Sequence, residues 1–298
     1  MANINLSYII STRNRLPFLK ILLAELIPQL MPDEEIVVVD GQSTDGAKEY
    51  LQQLFNEGKI HQFISEPDKN QAHGWNKALL LAKGIIIKKL IDDDVFCYSA
   101  IRECKAYMLL NTNVDVMLSN DLTSDINNHE IINQQSRFTQ FENWKNGQAP
   151  SFTFGDVHML IRKSALSYIG LYSALFTMMD WEYSLRISYL QVNIAYYTGY
   201  NALSVMHPQS ITSLADKRKI AQEGKKGELL YDYAGDSSDI SMWSKIKIAV
   251  GTRLSSIQKN NTDNKQLIPE DLAVVYNYYY DYINRLNASL QTTFIQKA

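Results

Sequence analysis

The chain has 298 residues, 46% hydrophobic and 20% charged, with a formal net charge of −3, long enough for one large α/β domain or two smaller ones. The near-neutral balance excludes the electrostatic footprint of a nucleic-acid binder. No apolar run reaches the ~20 residues that span a bilayer, and the start MANINLSYII has neither the basic region nor the cleavage site of a signal peptide.

In chain order, the first ninety residues alternate between two periodicities. INLSYIIS and EEIVVVDG (34–41) are short β-rich runs whose near-continuous Ile/Val content suits strands covered on both faces. Between them, LPFLKILLAELIPQL sets Leu16, Leu19, Leu23, Leu26, Ile27 and Leu30 at helical spacing, with Pro17 in the first turn. STDGAKEYLQQLFNEG reads as a capped helix ended by Gly58. IHQFIS reads as a strand and QAHGWNKALLLAKG as a helix stopped at Gly84, after which IIIKKLI runs straight into Asp92, Asp93 and Asp94. This alternation predicts a doubly wound parallel sheet with right-handed crossovers. Ligands of such sheets bind beyond the carboxyl ends of the strands, and residues 11–15, 40–45 and 92–94 all fall there.

Further on, VDVMLSN reads as a strand. The Asn-rich stretch from about 120 to 150 reads as a loop, of a length that is usually functional or mobile. VHMLIRKSALSYIG reads as strand then helix, DWEYSLRISYL as a helix and NIAYYTG as a strand. From about 216, Lys-rich and Tyr-rich helical patterns take over in MWSKIKIAVGTRLSSI and DLAVVYNYYYDYINRL. Cys97 and Cys104 lie seven residues apart on one predicted helix without Cys or His partners at metal spacing, which fits a reduced cytoplasmic chain.

Three adjacent carboxylates repel one another unless a cation sits among them. They make a hard oxygen-ligand site suited to Mg2+ or Mn2+ rather than Zn2+, and Mg2+ typically takes one or two protein carboxylates and fills its shell with substrate phosphates. The plain alternative is an acidic loop or helix start, because Asp favours caps. Asp40 weighs against that alternative. VVVDGQSTDG ends a buried strand with a carboxylate, a turn and a helix start, and a carboxylate there can accept from a nucleobase imide or a ribose hydroxyl. Asp45 reads as a turn or helix N-terminal residue. The G-x-G-x-x-G and G-x-x-x-x-G-K-[ST] loops are absent, so dinucleotide and P-loop readings lose support.

VVVDGQSTDGAKEYL, ISEPDKNQAHGWNKALLLAKG and LIDDDVF, in that order and spacing, resemble the nucleotide-sugar half of a GT-A glycosyltransferase of family 2. Such enzymes build bacterial surface polysaccharides, O-antigen and capsule included, among other glycans. The resemblance covers residues 4–96 and continues more thinly to about 213 through DVHMLIRKSALSYIGLY, MDWEYSLRI and MHPQSITS. It implies a GT-A fold: an α/β, Rossmann-like mixed sheet flanked by helices. Residues 1–96 would form the nucleotide-sugar half and 97–215 the acceptor half of one catalytic domain, with 216–298 as a C-terminal helical extension.

By the same resemblance, Ser11, Thr12 and Arg13 line the nucleotide site and Asp40 binds the base, usually uracil. Asp68 and Lys69 belong to the family's E-P-D-K-G segment, which lies against the nucleotide. Asp92, Asp93 and Asp94 form the D-x-D region, with Asp94 as the metal ligand and Asp92 or Asp93 facing ribose. Asp180 matches the carboxylate of the E-D-x-x-x-x-x-R segment, the general base of inverting members. His207, in HPQS, matches a histidine that approaches the diphosphate or the metal. The implied cofactor is Mn2+ or Mg2+, the donor a UDP-sugar and the acceptor a glycan or lipid-linked hydroxyl. The chain departs from the family pattern at Asn70, in place of a common Gly, and at Trp75, where a smaller or basic residue is frequent. It departs again at Met179, which replaces the Glu before the base.

The chemistry accounts for these residue types. An acceptor hydroxyl attacks C1 of the donor sugar from the face opposite the leaving diphosphate, and a positioned carboxylate base typically contributes ~10²–10⁴-fold. Asp180 opens a helix, where an N-cap is its alternative role. Glu182, two residues on, points away from it and is the second candidate base. His207 precedes a proline and has packing as its alternative, while His73 and His158 read as structural.

Towards the C-terminus, Trp243, Ile246, Ile248, Val250 and Leu254 mix with Lys245, Lys247, Arg253 and Lys259. That mixture suits an anionic membrane surface, where lipid-linked acceptors reside. The irregular apolar stripe favours packing on its own domain or on a second subunit. The chain is read as cytoplasmic, with peripheral contact at the inner face of the membrane as the variant.

Three other functions compete. A sugar-1-phosphate nucleotidyltransferase needs a Gly-rich basic loop after the first strand, where STRNRLP has Arg but no Gly. A phosphatase with an Asp nucleophile wants Thr or Val where Phe96 stands. Against an inactive nucleotide-sugar-binding subunit stand the intact Asp40, Asp94 and Asp180.

Overall fold

The computed structural model of the chain describes residues 3–208, 210, 217–233 and 269–296, so the basic and apolar stretch at 242–259 lies outside the described residues. The β-branched runs form strands as their burial requires. β1 (Leu6–Thr12), β2 (Glu34–Asp40), β3 (Gln62–Ser65) and β4 (Ile86–Lys89) pair in parallel in the order β3-β2-β1-β4. Strand parity sorts side chains between two cores. Leu6, Tyr8 and Ile10 join α1 (Leu16–Leu26), α2 (Ala47–Asn56) and α4 (Tyr98–Leu110) on one face, while Ile9, Val37 and Val39 join α3 (Gln71–Leu81) on the other.

The sheet then departs from the parallel expectation. β9 (Met159–Arg162) runs antiparallel between β4 and β6 (Val116–Ser119), β10 (Ile194–Tyr197) pairs in parallel with β6, and β12 (Phe294–Gln296) is antiparallel on β10. An antiparallel partner needs no crossover helix, and the turn at 156–158 delivers β9 directly. The sheet is therefore mixed and eight-stranded. A smaller one has the order β5-β11-β7-β8, from β5 (Val95–Phe96), β7 (Asp121–Asp125), β8 (Ile132–Gln135) and β11 (Ala202–Met206).

The 120–150 stretch, expected as a loop, instead carries β7, β8 and α5 (Phe138–Lys145). Its polar composition hides two short patterns: Leu122 and Ser124 alternate inward on β7, and Phe141 and Trp144 bury one side of α5. After the short α6 (Leu166–Ile169) and α7 (Met179–Tyr189), α8 (Lys217–Tyr231) packs against α7. The last helix, α9 (Pro269–Ser289), sends Leu272, Tyr276, Tyr279 and Ile283 into the first core. β12, too short for any periodicity to register, makes the end of the helical extension an edge strand of the main sheet. No helix among the described residues is long and apolar enough to cross a membrane.

Chain connections leave β1 toward β2 on one side while β4 flanks it on the other. The carboxyl ends of β1 and β4 thus form the switch point at which open α/β sheets bind ligands.

Candidate active site

A cleft of about 1180 Å³ opens at that switch point. Ser11, Thr12 and Arg13 from the end of β1 line it, with Asp68 and Lys69 ahead of α3, the three aspartates after β4, Asp180 on α7 and His207 after β11. Asp40 does not.

The cation among the aspartates is Arg15, which the sequence reading did not single out. Its guanidinium ion-pairs with Asp93 and lies 3.6 Å from Asp92 Oδ1. His207 Nε2 is 2.6 Å from Asp93 Oδ2 and 3.3 Å from Arg15 Nη1. Thr12 Oγ1 donates to Asp92 Oδ2 at 2.6 Å, and the Val205 N–H donates to Asp94 Oδ1 at 2.8 Å. Behind them, Phe18 stacks on the His207 ring at 5.2 Å, and the Tyr276 hydroxyl donates to the Asp93 carbonyl at 2.5 Å.

One guanidinium does not balance three buried carboxylates. Burial, followed by the charge of Asp93, pushes Asp92 up to about 7. The same two causes hold Asp94 well above the usual carboxylate range. Burial acts on Asp93 too, but His207 and Arg15 outweigh it and keep that carboxyl below its ordinary value. A divalent cation fits this donor set of hard oxygens, one imidazole and uncompensated negative charge. Asp94 would hold it, and His207 would join by exchanging its Nε2 contact with Asp93. Among the described residues no three His, Cys, Asp or Glu side chains form a ready-made cage, which suits an ion that draws most ligands from phosphate and water.

Asp40 is fully buried, and its oxygens accept from the Ser43 N–H at 3.1 and 3.2 Å, from the Ser43 hydroxyl and from Ser65 Oγ at 2.7 Å. It ties the 40–43 turn, where Gln42 has a φ of 61°, and in this arrangement its carboxylate does not face the cleft. Asp45 has the turn role expected of it. Its carboxylate accepts from the Leu16 N–H at 2.8 Å and the Ala47 N–H at 3.1 Å, joining the starts of α1 and α2.

α3 passes close over the end of β1. A Cβ on Gly74 would collide with Ser11 Oγ and Asp68 Oδ2, so any larger residue there forces those two cleft-lining side chains, or the helix, to move. Asp68 pairs with Lys77 at 2.8 Å, and the Lys69 N–H donates to His73 Nδ1 at 3.1 Å. Asn70, the departure from the common Gly, caps α3 by accepting from the His73 N–H at 3.0 Å. It also donates to the Ala174 carbonyl at 3.2 Å, toward the loop before α7.

Asp180 lines the same cleft from the first turn of α7, whose N-cap is Met178. Burial raises its pKa and the charge of Asp156 raises it further, while Lys89 opposes both. Lys89 and Asp156 form a buried pair at 2.6 Å. The Lys89 ammonium lies over the Trp75 ring at 4.4 Å, and the Tyr172 hydroxyl donates to Asp156 at 2.7 Å. Trp75, the second departure, thus supplies the face on which this cation rests. Sequence reasoning missed Lys89 and Asp156 although a clue existed, since a lysine inside a buried strand needs a partner. Glu182, the second candidate base, is 2% exposed, paired with Arg186 at 2.8 Å and bonded by the Tyr231 hydroxyl. Both of its oxygens are engaged by these two partners, and Glu182 is not among the residues that line the cleft.

Residues 7–170 match the family model described as glycosyl transferase family 2. A comparison with curated protein sequences gives no match. Solved structures of similar fold include S. aureus TarS 1–349 in complex with UDP-GlcNAc, at 16% identity and a TM-score of 0.57, with 95% of this chain and 91% of that one covered. The mannosyltransferase PcManGT from Pyrobaculum calidifontis, in complex with GDP-Man and Mn2+, is 13% identical with a TM-score of 0.52 and coverage of 95% and 88%. Against a longer S. aureus TarS structure, at 17% identity and a TM-score of 0.53, 95% of this chain matches and it spans 55% of the length.

Proposed function

The chain belongs to glycosyl transferase family 2, and from that premise we propose an inverting transfer of a sugar from a UDP-sugar to a hydroxyl of a glycan or lipid-linked acceptor. A role in assembling surface polysaccharide such as O-antigen or capsule, at the inner face of the cytoplasmic membrane, is the context that such an acceptor suits. The observation that carries this reading is that residues 92–94 and Asp180 line one and the same cleft. Burial and mutual repulsion raise Asp92 and Asp94, and Asp180 stands in the first turn of α7, where burial raises it too.

In this mechanism the donor diphosphate lies at the ends of β1 and β4, against Ser11, Thr12 and Arg13, and Asp68 and Lys69 close the same end. Arg15 and His207 keep Asp93 ionised and fixed. Asp94 would hold a bound Mn2+ or Mg2+, with His207 as a further ligand once its Nε2 is released from Asp93, and the ion would supply Lewis-acid neutralisation of the departing diphosphate. Asp180 accepts the proton of the acceptor hydroxyl as its oxygen forms the new bond to C1. The bond from C1 to the diphosphate oxygen breaks on the opposite face. The UDP-GlcNAc complex of S. aureus TarS supports a uridine donor, and the Mn2+ in the P. calidifontis mannosyltransferase complex supports the cation. The GDP-Man in that same complex makes a guanosine donor the alternative to test.

Substitution Asp180→Asn tests the assignment of roles. It should lower kcat by ~10²–10⁴-fold and leave UDP-sugar binding intact. Undiminished transfer would overturn Asp180 as the base.

A further inference from the structure

Helix α8 lies in the extension that follows the catalytic residues in sequence, yet it reaches back to the start of α7. Glu223 on α8 is 7% exposed. Its Oε2 accepts from the Thr177 N–H at 2.7 Å and from the Met178 N–H at 3.3 Å, while Oε1 accepts from the Thr177 hydroxyl at 2.9 Å. Met178 is the N-cap of α7. Glu223 therefore closes the N-terminus of that helix from outside it, where backbone donors lack intrahelical partners and the helix dipole favours a negative charge.

The contact continues along one stripe of α8. Gly227, four residues on, lies so close under Trp181 that a Cβ would enter the indole ring. Tyr231, four further, donates to Glu182. Spacing by four keeps all three on the same face. What they grip is the segment that lines the cleft beside the candidate base, since Thr177, Met178 and Met179 face the cavity together with Asp180.

We propose that Glu223 is a positioning residue for the transfer: it holds the turn at 177–180 so that the Asp180 carboxylate faces the acceptor hydroxyl. This rests on Asp180 acting as the base. Glu223 bonds to Thr177 and the Met178 N–H and to none of the aspartates at 92–94, so its loss falls on the chemical step.

The test is a mutant cycle measured with a UDP-sugar and an acceptor. Glu223→Ala should lower kcat about 10- to 100-fold, the cost of a misplacement on the order of 1 Å, with donor KM within about twofold of wild type. Glu223→Gln, whose carbonyl oxygen still accepts an N–H, should fall between the two and serves as the reading if the alanine variant does not fold. In an Asp180→Asn background, Glu223→Ala should cost little more. Wild-type kcat in both Glu223 variants overturns the proposal while the Asp180 assignment stands. So does an equal loss in the Asp180→Asn background, or a donor KM that rises as much as kcat falls. Full activity of Asp180→Asn alone fails the base assignment itself, and the positioning role falls with it.

Discussion

Local charge decides when Asp180 can accept a proton. Burial and the neighbouring Asp156 raise its pKa, and Lys89 pulls it back. In the proposed mechanism Asp180 must be ionised to act, so kcat/KM should rise with pH through a limb above the ordinary carboxylate range. Asp156→Asn removes a negative charge and frees Lys89 to act on Asp180, and both changes have the same sign. The limb should move to lower pH in that variant, read from log(kcat/KM) against pH. An unmoved limb, or one shifted upward, would mean that another group titrates. The aspartates and Asp180 are legible in the sequence because their order and spacing carry a motif. Arg15 and Lys89 are not, because a sequence does not say that the loop after β1 meets the loop after β4, or that Asp156 faces Lys89 from the turn before β9.

Among the elements, α3 shows how one residue sets a helix on a strand end. Gly74→Ala puts a methyl group against Ser11 and Asp68, so those cleft-lining side chains, or the helix, must move. Overpacking of this kind costs about 1–3 kcal/mol. Thermal unfolding should report a lower midpoint, and the stabilisation gained from UDP should shrink with it. Gly224 on α8 is the internal control, for a Cβ there meets nothing within 4 Å. Gly224→Ala should be neutral or stabilising by up to about 1 kcal/mol, the difference in helix propensity. A lower midpoint for Gly224→Ala, or none for Gly74→Ala, would contradict these packing readings. Strong periodicity makes β1, β2, α1 and α2 legible from residue spacing alone. β7, β8 and α5 escape that reading because their buried residues are few and set among Asn, Gln and Ser. β11 and β12 are ordered by partners far away in the chain.

Over the whole molecule, both C-terminal helices reach the cleft. α9 does so through Leu272, which lines the cavity, and through Tyr276, bonded to the Asp93 carbonyl. α8 does so through Glu223, bonded to the 177–178 backbone. The region read from sequence as an extension is thus built into the site, a relation that helical patterning alone cannot express. The proposed function turns on one property of the cleft, joint binding of a nucleoside diphosphate and a divalent cation at residues 92–94. Ligand that binds only the folded state stabilises it by RT ln(1 + [L]/Kd), about 2.7 kcal/mol at a hundredfold excess over Kd. The most direct measurement is the unfolding midpoint with UDP and Mn2+, separately and together, in the wild type and in Asp94→Asn. The expected result is a midpoint raised by the pair beyond the sum of its parts in the wild type and not in the variant. No shift from UDP with Mn2+, or an undiminished shift in Asp94→Asn, would contradict a metal-assisted nucleotide-sugar site at these aspartates.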